Sequence, residues 1–198
     1  MGYFPFFMDI AGRKGLIVGG GTVALRKAEK LLPFGPVLTV TAPDILPELA
    51  ALPGVTVLEK TFTPAMLEGA FFVIAATDDP DTNRLVSSLC REKNIPVNVV
   101  DDPAGCTFLF PALVKDGSLC VGVCTEGASP TAAAWLRSEI EKLLPENIAD
   151  ILAYLQTVRP SVKKARADTM KKLLAACLQT GRPLNETELD ALLEERET

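Results

Sequence analysis

Five apolar runs punctuate the first half of the chain, at residues 16–18, 37–40, 55–58, 71–75 and 97–100. Stretches with helical spacing separate several of them, the pattern of strands and helices alternating in a parallel sheet. The runs are continuously apolar rather than alternating, as expected when helices cover both faces of a sheet. The reading is an α/β protein with a Rossmann-type, doubly wound parallel sheet. The pattern then changes, because residues 108–114 and 119–124 flank Lys115-Asp-Gly-Ser118 and read as a hairpin with its turn at Asp116-Gly117. A helix is predicted from Pro130 to about Leu143, with Ser129 as its N-cap and Pro130 at its first position. The remainder is helical in pattern, with breaks near Pro160 and at residues 181–185. The expected organisation is a dinucleotide-binding domain over 1–112, a small α+β dimerisation segment of hairpin and helix over 113–145, and a helical tail over 146–198.

Composition narrows the classes available. With 198 residues, 48% of them hydrophobic, the chain can build one ample core and an appendage, or two small domains. A net charge of -5 argues against a general nucleic-acid binder, which needs a basic surface to displace phosphate counterions. The N-terminus lacks a basic region before a long apolar run, and no stretch approaches the roughly 18 apolar residues of a membrane span. A soluble, cytoplasmic protein with no membrane partner is expected. Five cysteines without zinc-ribbon spacing read as reduced thiols. Cys120 and Cys124 share one strand face and read as core rather than as a soft metal pair, so no metal site is predicted. The chain has no histidine, which removes Ser-His-Asp and Cys-His nucleophiles and any imidazole base. Acid and base work falls to Asp, Glu, Lys, Tyr or Cys, and an aspartate in an apolar, partly closed site is the first candidate.

The chemistry concentrates where the first strand meets the run Gly19-Gly20-Gly21-Thr22-Val23-Ala24. Gly19, Gly21 and Ala24 fit the G-x-G-x-x-G/A spacing, in which the first position allows a tight turn, the second lets backbone approach a pyrophosphate, and the third packs helix on strand. The amides at the helix start then face the phosphates. In such folds the carboxyl ends of the strands line the ligand crevice, which gives weight to Thr77-Asp78-Asp79 and to residues 98–102. A local positive stripe over 159–172 reads either as a clamp for a polycarboxylate or polyphosphate or as a solvated helix face.

Taken together, the glycine loop, Ala75-Ala-Thr-Asp-Asp79, the run from Val97-Asn-Val-Val-Asp-Asp102 to Ala112, and Gly127-Ala-Ser-Pro130 resemble the siroheme synthase family in its precorrin-2 dehydrogenase part, from about Tyr3 to Pro145. The helical tail matches only loosely. The resemblance implies NAD as cofactor, a tetrapyrrole substrate, precorrin-2, oxidised to sirohydrochlorin, and a homodimer. Some members also insert ferrous iron, so iron or cobalt as a further substrate stays open. It places the family's catalytic aspartate at Asp101, where a carboxylate could take the proton that leaves with the hydride. The plainer role for Asp101 is to cap the turn before Pro103. Cofactor contacts fall on Gly19, Gly20, Gly21, Thr22, Val23, Pro43 and Asp44, with Thr77 and Asn98 as crevice neighbours. Asp44 either reaches the ribose or caps the helix that follows. No arginine or lysine occurs in residues 39–58, which favours NAD over NADP. Ser129 matches a serine near the tetrapyrrole and also suits a helix cap, while Arg137 is a candidate for the substrate's carboxylates. Two alternatives are a chelatase of the same fold and an NAD-sensing domain without turnover.

Overall fold

The computed structural model describes residues 2–160 and 167–194, and the chain divides into two compact units, Met1–Phe110 and Pro111–Thr198. The first is built on five parallel strands, β1 (Lys14–Val18), β2 (Val37–Ala42), β3 (Val55–Glu59), β4 (Phe72–Ala75) and β5 (Val97–Val99), in the order β3-β2-β1-β4-β5. β1 is central, with Leu16 opposite Thr39 on one side and Val73 on the other. The chain therefore winds outward from β1 in one direction through β2 and β3, then crosses back to β4 and β5. The carboxyl ends of β1 and β4 lie beside each other where that direction reverses, the place where open α/β sheets bind ligands.

Alternation of side chains splits the apolar strands between two cores. Leu16, Val18, Val73, Ala75, Val97 and Val99 pack with Val86 and Cys90 of helix α3 (Pro80–Glu92). Ile17, Leu38, Val40, Phe72 and Ile74 pack on the opposite face with Ala24 and Ala28 of helix α1 (Thr22–Leu31). Ala24 is fully buried, the small residue that lets α1 lie close to the sheet. A short helix α2 (Pro47–Ala50) and short helical turns over Leu32–Phe34, Pro64–Leu67 and Pro103–Gly105 complete the unit.

In the second unit β6 (Ala112–Asp116) and β7 (Leu119–Val123) form an antiparallel hairpin, and Gly117, with φ of 51°, makes the turn. The predicted first strand of that hairpin is shorter than expected. Phe108 and Phe110 instead pack against the α1 side of the first core. Helix α4 (Pro130–Leu143) packs on the hairpin, and helices α5 (Ile148–Val158), α6 (Ala167–Thr180) and α7 (Glu186–Glu194) follow. Ile151, Leu173, Cys177 and Leu184 form their core. Residues 161–166 of the basic stripe lie outside the described residues. The cysteines are free thiols; Cys124 is exposed, so its expected place in a core is corrected, because β7 ends at Val123 just before it. Among the described residues no helix is long and apolar enough to cross a membrane.

Candidate functional site

A cleft of about 840 Å³ opens at the carboxyl ends of the parallel strands. One wall is the glycine loop after β1. Gly19 has φ of 130°, and a Cβ there would come within 2.2 Å of the Ala76 carbonyl oxygen. A Cβ on Gly20 would meet the Asp44 carbonyl at 2.1 Å. These two glycines thus let the loops after β1, β2 and β4 close on one another, and the Leu46 amide seals the contact by donating to the Gly20 carbonyl at 2.9 Å. Gly21 differs, since a Cβ there would meet nothing within 4 Å. Its openness keeps backbone accessible to a ligand rather than to another part of the chain.

Gly21 is also the N-cap of α1, with no side chain bonded to the cap and no acidic residue in the first turn. Helices α3 and α4 are treated otherwise. The Asp79 carboxylate caps α3 by accepting from the amides of Asp81 and Thr82, and the Ser129 hydroxyl caps α4 by accepting from Ala132. The α1 amides thus lack a side-chain acceptor while facing a cleft, and together with the helix dipole they fit a pyrophosphate. The dinucleotide site predicted from the glycine spacing is physically consistent with these residues. Thr22 and Val23 line the cleft beside Gly21, and Pro43 and Asp44 line it from the loop after β2.

The third wall follows β4. Thr77 hydrogen-bonds through Oγ1 to Asn83 Oδ1 at 2.7 Å, which holds the turn into α3. Asp79 is committed to its cap, and the Thr82 hydroxyl, which donates to Asp79 Oδ2, holds its carboxyl below the usual carboxylate range together with the two cap amides. Asp44, Asp78 and Asp101 are the remaining carboxylates of the cleft, all exposed. Asp101 sits just past β5 in the left-handed region, with φ of 59°, a conformation that favours glycine. The amide of Val100 donates to the Ala75 carbonyl at 2.9 Å and brings Asp101 to the rim that also carries Thr77.

Among the predicted residues of the first unit, Asn98 stands apart from the cleft lining. Asn98 lies on β5 and is buried, and its side-chain amide donates to the Phe108 carbonyl at 3.1 Å and to Cys106 Sγ at 3.4 Å. Its Oδ1 accepts from Lys27 Nζ at 3.3 Å. Its polar groups are engaged inside the protein, and it does not line the cleft. Ser129 and Arg137 belong to the second unit, where Arg137 pairs with Glu141 one turn along α4. Thr61 and Phe62, beyond β3, line the cleft and escaped the sequence reading, although the rule that ligands sit at strand carboxyl ends applies to β3 as well. Lys27 also escaped it. Its ammonium lies 3.9 Å from the Phe110 ring centroid, and burial lowers its pKa from 10.5 to about 8.

Comparison with known proteins agrees with this architecture. The solved structure of SirC, precorrin-2 dehydrogenase, matches with a TM-score of 0.77 over 98% of this chain and 99% of that one, at 24% identity. The siroheme synthase of Thioalkalivibrio sulfidiphilus is 43% identical over 172 residues, which cover 85% of this chain and 35% of that protein. That of Pseudomonas entomophila is 39% identical over 175 residues, covering 87% of this chain and 38% of that protein. The chain spans about a third of the length of the curated relatives it matches. The resemblance drawn from the motifs is therefore supported across most of the chain. The family model described as "Putative NAD(P)-binding" matches residues 6–112, more than half of the chain, and the chain belongs to that family.

Proposed function

We propose that this chain is an NAD-dependent dehydrogenase that oxidises precorrin-2 to sirohydrochlorin, with Asp101 as general base. The observation that carries the reading is the shared cleft: Asp101 opens onto the same cavity as Gly21 and the uncapped start of α1. The names of the relatives and of the structural neighbour supply the substrate class. Bound NAD+ would supply the hydride acceptor. The residues around it have separable tasks. Gly19, Gly20 and Gly21 shape the backbone against the pyrophosphate, with the amides of Thr22 and Val23 donating to it. Pro43 and Asp44 bound the ribose side, and Thr77 bounds the opposite rim. The cleft carries no lysine or arginine among its lining residues, which favours NAD over the 2′-phosphorylated cofactor.

Oxidation of a C–H and N–H or adjacent C–H pair releases a hydride and a proton, and Asp101 accepts the proton. Its exposure at the rim leaves room for a flat macrocycle. Ser129 and Arg137 are proposed to meet the substrate's carboxylates. The test is anaerobic incubation with precorrin-2 and NAD+, with NADP+ in parallel, followed by the absorption spectrum of sirohydrochlorin. D101N is expected to abolish oxidation while binding NAD+ as the parent does; oxidation at the parent's rate would refute the base. A homodimer is also inferred, because Trp135 (61% exposed) and Leu143 (82%) place large apolar side chains at the surface of α4. Sedimentation velocity reads it, and a monomer at micromolar concentration would refute it. The reduced thiols suit the cytoplasm.

A further inference from the structure

We propose that Cys106 is a positioning residue whose thiol holds Asp101 at the rim of the cleft. The inference rests on the reading of Asp101 as the base. The chain from Val99 to Cys106 folds back on itself around one sulfur atom. Cys106 Sγ accepts from the Val99 amide at 3.1 Å, and it lies 3.2 Å from the Val99 carbonyl and 3.3 Å from the Asp102 carbonyl, either of which can take its S–H. It thus touches backbone on both sides of Asp101. Asn98 Nδ2 approaches the same sulfur at 3.4 Å, so the thiol is also tied to β5.

The geometry explains why such a clamp is needed. Asp101 is a non-glycine residue with φ of 59°, and such a conformation persists when the surroundings over-determine it. Other anchors hold the distal part of the same loop. The Ser87 hydroxyl donates to the Gly105 carbonyl at 2.7 Å, Arg91 donates to the Ala104 carbonyl at 2.7 Å, and Asp102 Oδ1 accepts from the Gly105 amide at 3.1 Å. These fix residues 102–106 against α3, and the sulfur carries that rigidity back to Val99. Cys106 is 8% exposed and does not line the cleft, so it acts through Asp101 and not on the substrate. Burial pushes the thiol up from its ordinary value, which keeps the S–H present as a donor at neutral pH.

The test compares C106A, C106V and C106S with D101N in the anaerobic precorrin-2 assay, with NAD+ affinity measured by calorimetry. C106A and C106V should lower kcat by about tenfold or more through misplacement of the base. NAD+ affinity and KM should stay within about twofold, and C106S, which keeps a donor and an acceptor, should recover most of kcat. A crystal structure of C106V should show residue 101 out of the left-handed region. Val fills the sulfur's space without a donor, so it carries the test if C106A does not fold. Parent-like kcat in C106V with D101N inactive would overturn the role of Cys106 alone. Equal loss in C106V and C106S, or NAD+ affinity falling in step with kcat, would overturn it as general structural damage. Parent-like kcat in D101N would overturn the base reading and the positioning role with it.

Discussion

Lys27 offers a quantitative check on the packing behind the site. Its ammonium is held between the Phe110 ring and Asn98 Oδ1, and both contacts favour the charged form. Burial opposes them and wins, aided by Lys30, while Asp101 pulls the other way more weakly, so the pKa falls from 10.5 to about 8. At about 1.36 kcal/mol per unit, the gap sets an upper bound near 3 kcal/mol on the net cost of holding the charge in the fold. The side chain is partly exposed, so solvent screening brings the usable figure to roughly 1.5 kcal/mol. The sign follows from proton counting. Between about pH 8 and 10.5 the unfolded chain holds the lysine proton and the folded chain has released it, so stability rises with pH in that window. The buried thiols work in reverse. Cys90 is raised to about 11 and Cys106 is also raised, so the folded chain keeps protons that the unfolded chain loses, and their contribution declines as pH rises above about 9. K27M keeps the thiols and removes the lysine. Urea unfolding followed by circular dichroism at about pH 7 and about pH 10 should therefore show the parent gaining roughly 1.5 kcal/mol relative to K27M. Superimposable pH dependences for the two proteins would show that Lys27 is not buried as described.

The adjacent glycines should separate folding from cofactor binding. Gly21 has φ of -90° and ψ of -170°, which an L residue adopts freely, and its Cβ would meet open space. G21A should therefore match or exceed the parent's stability, by up to about 0.5 kcal/mol, while weakening NAD+ about tenfold because the methyl occupies the surface the pyrophosphate approaches. G20A should instead lose about 1–3 kcal/mol of stability, since its Cβ would press on the Asp44 backbone. Thermal denaturation and NAD+ titration of both variants decide it, and unchanged NAD+ affinity in G21A would count against the glycine loop as the phosphate site.

What the residues reveal in one dimension is the part of the site that backbone makes. Glycine spacing, the strand before it and the cap after β4 are local, so their order along the chain already implies a cradle at the switch point. The limits have equally local causes. Residues 108–114 are apolar throughout, and nothing in composition separates Phe108 and Phe110, which serve the first core, from the strand beginning at Ala112. Asn98 is polar at a strand that ends at the crevice, yet alternation sends it away from Val97 and Val99 to the face where Lys27 lies, and there its amide is consumed. A lysine at the sixth position of a helix reads as solvated; Asn98 and Phe110, far along the chain, close over it. Cys106 is the same case, since its meaning lies in the turn that returns it to Val99. The side chains that support a reacting group answer to neighbours across the fold, so they stay silent in sequence where the glycines that shape its backbone do not. That division predicts where to look in related chains: a substitution at a glycine of the loop should alter cofactor binding, and one at a buried partner of the aspartate loop should alter turnover first.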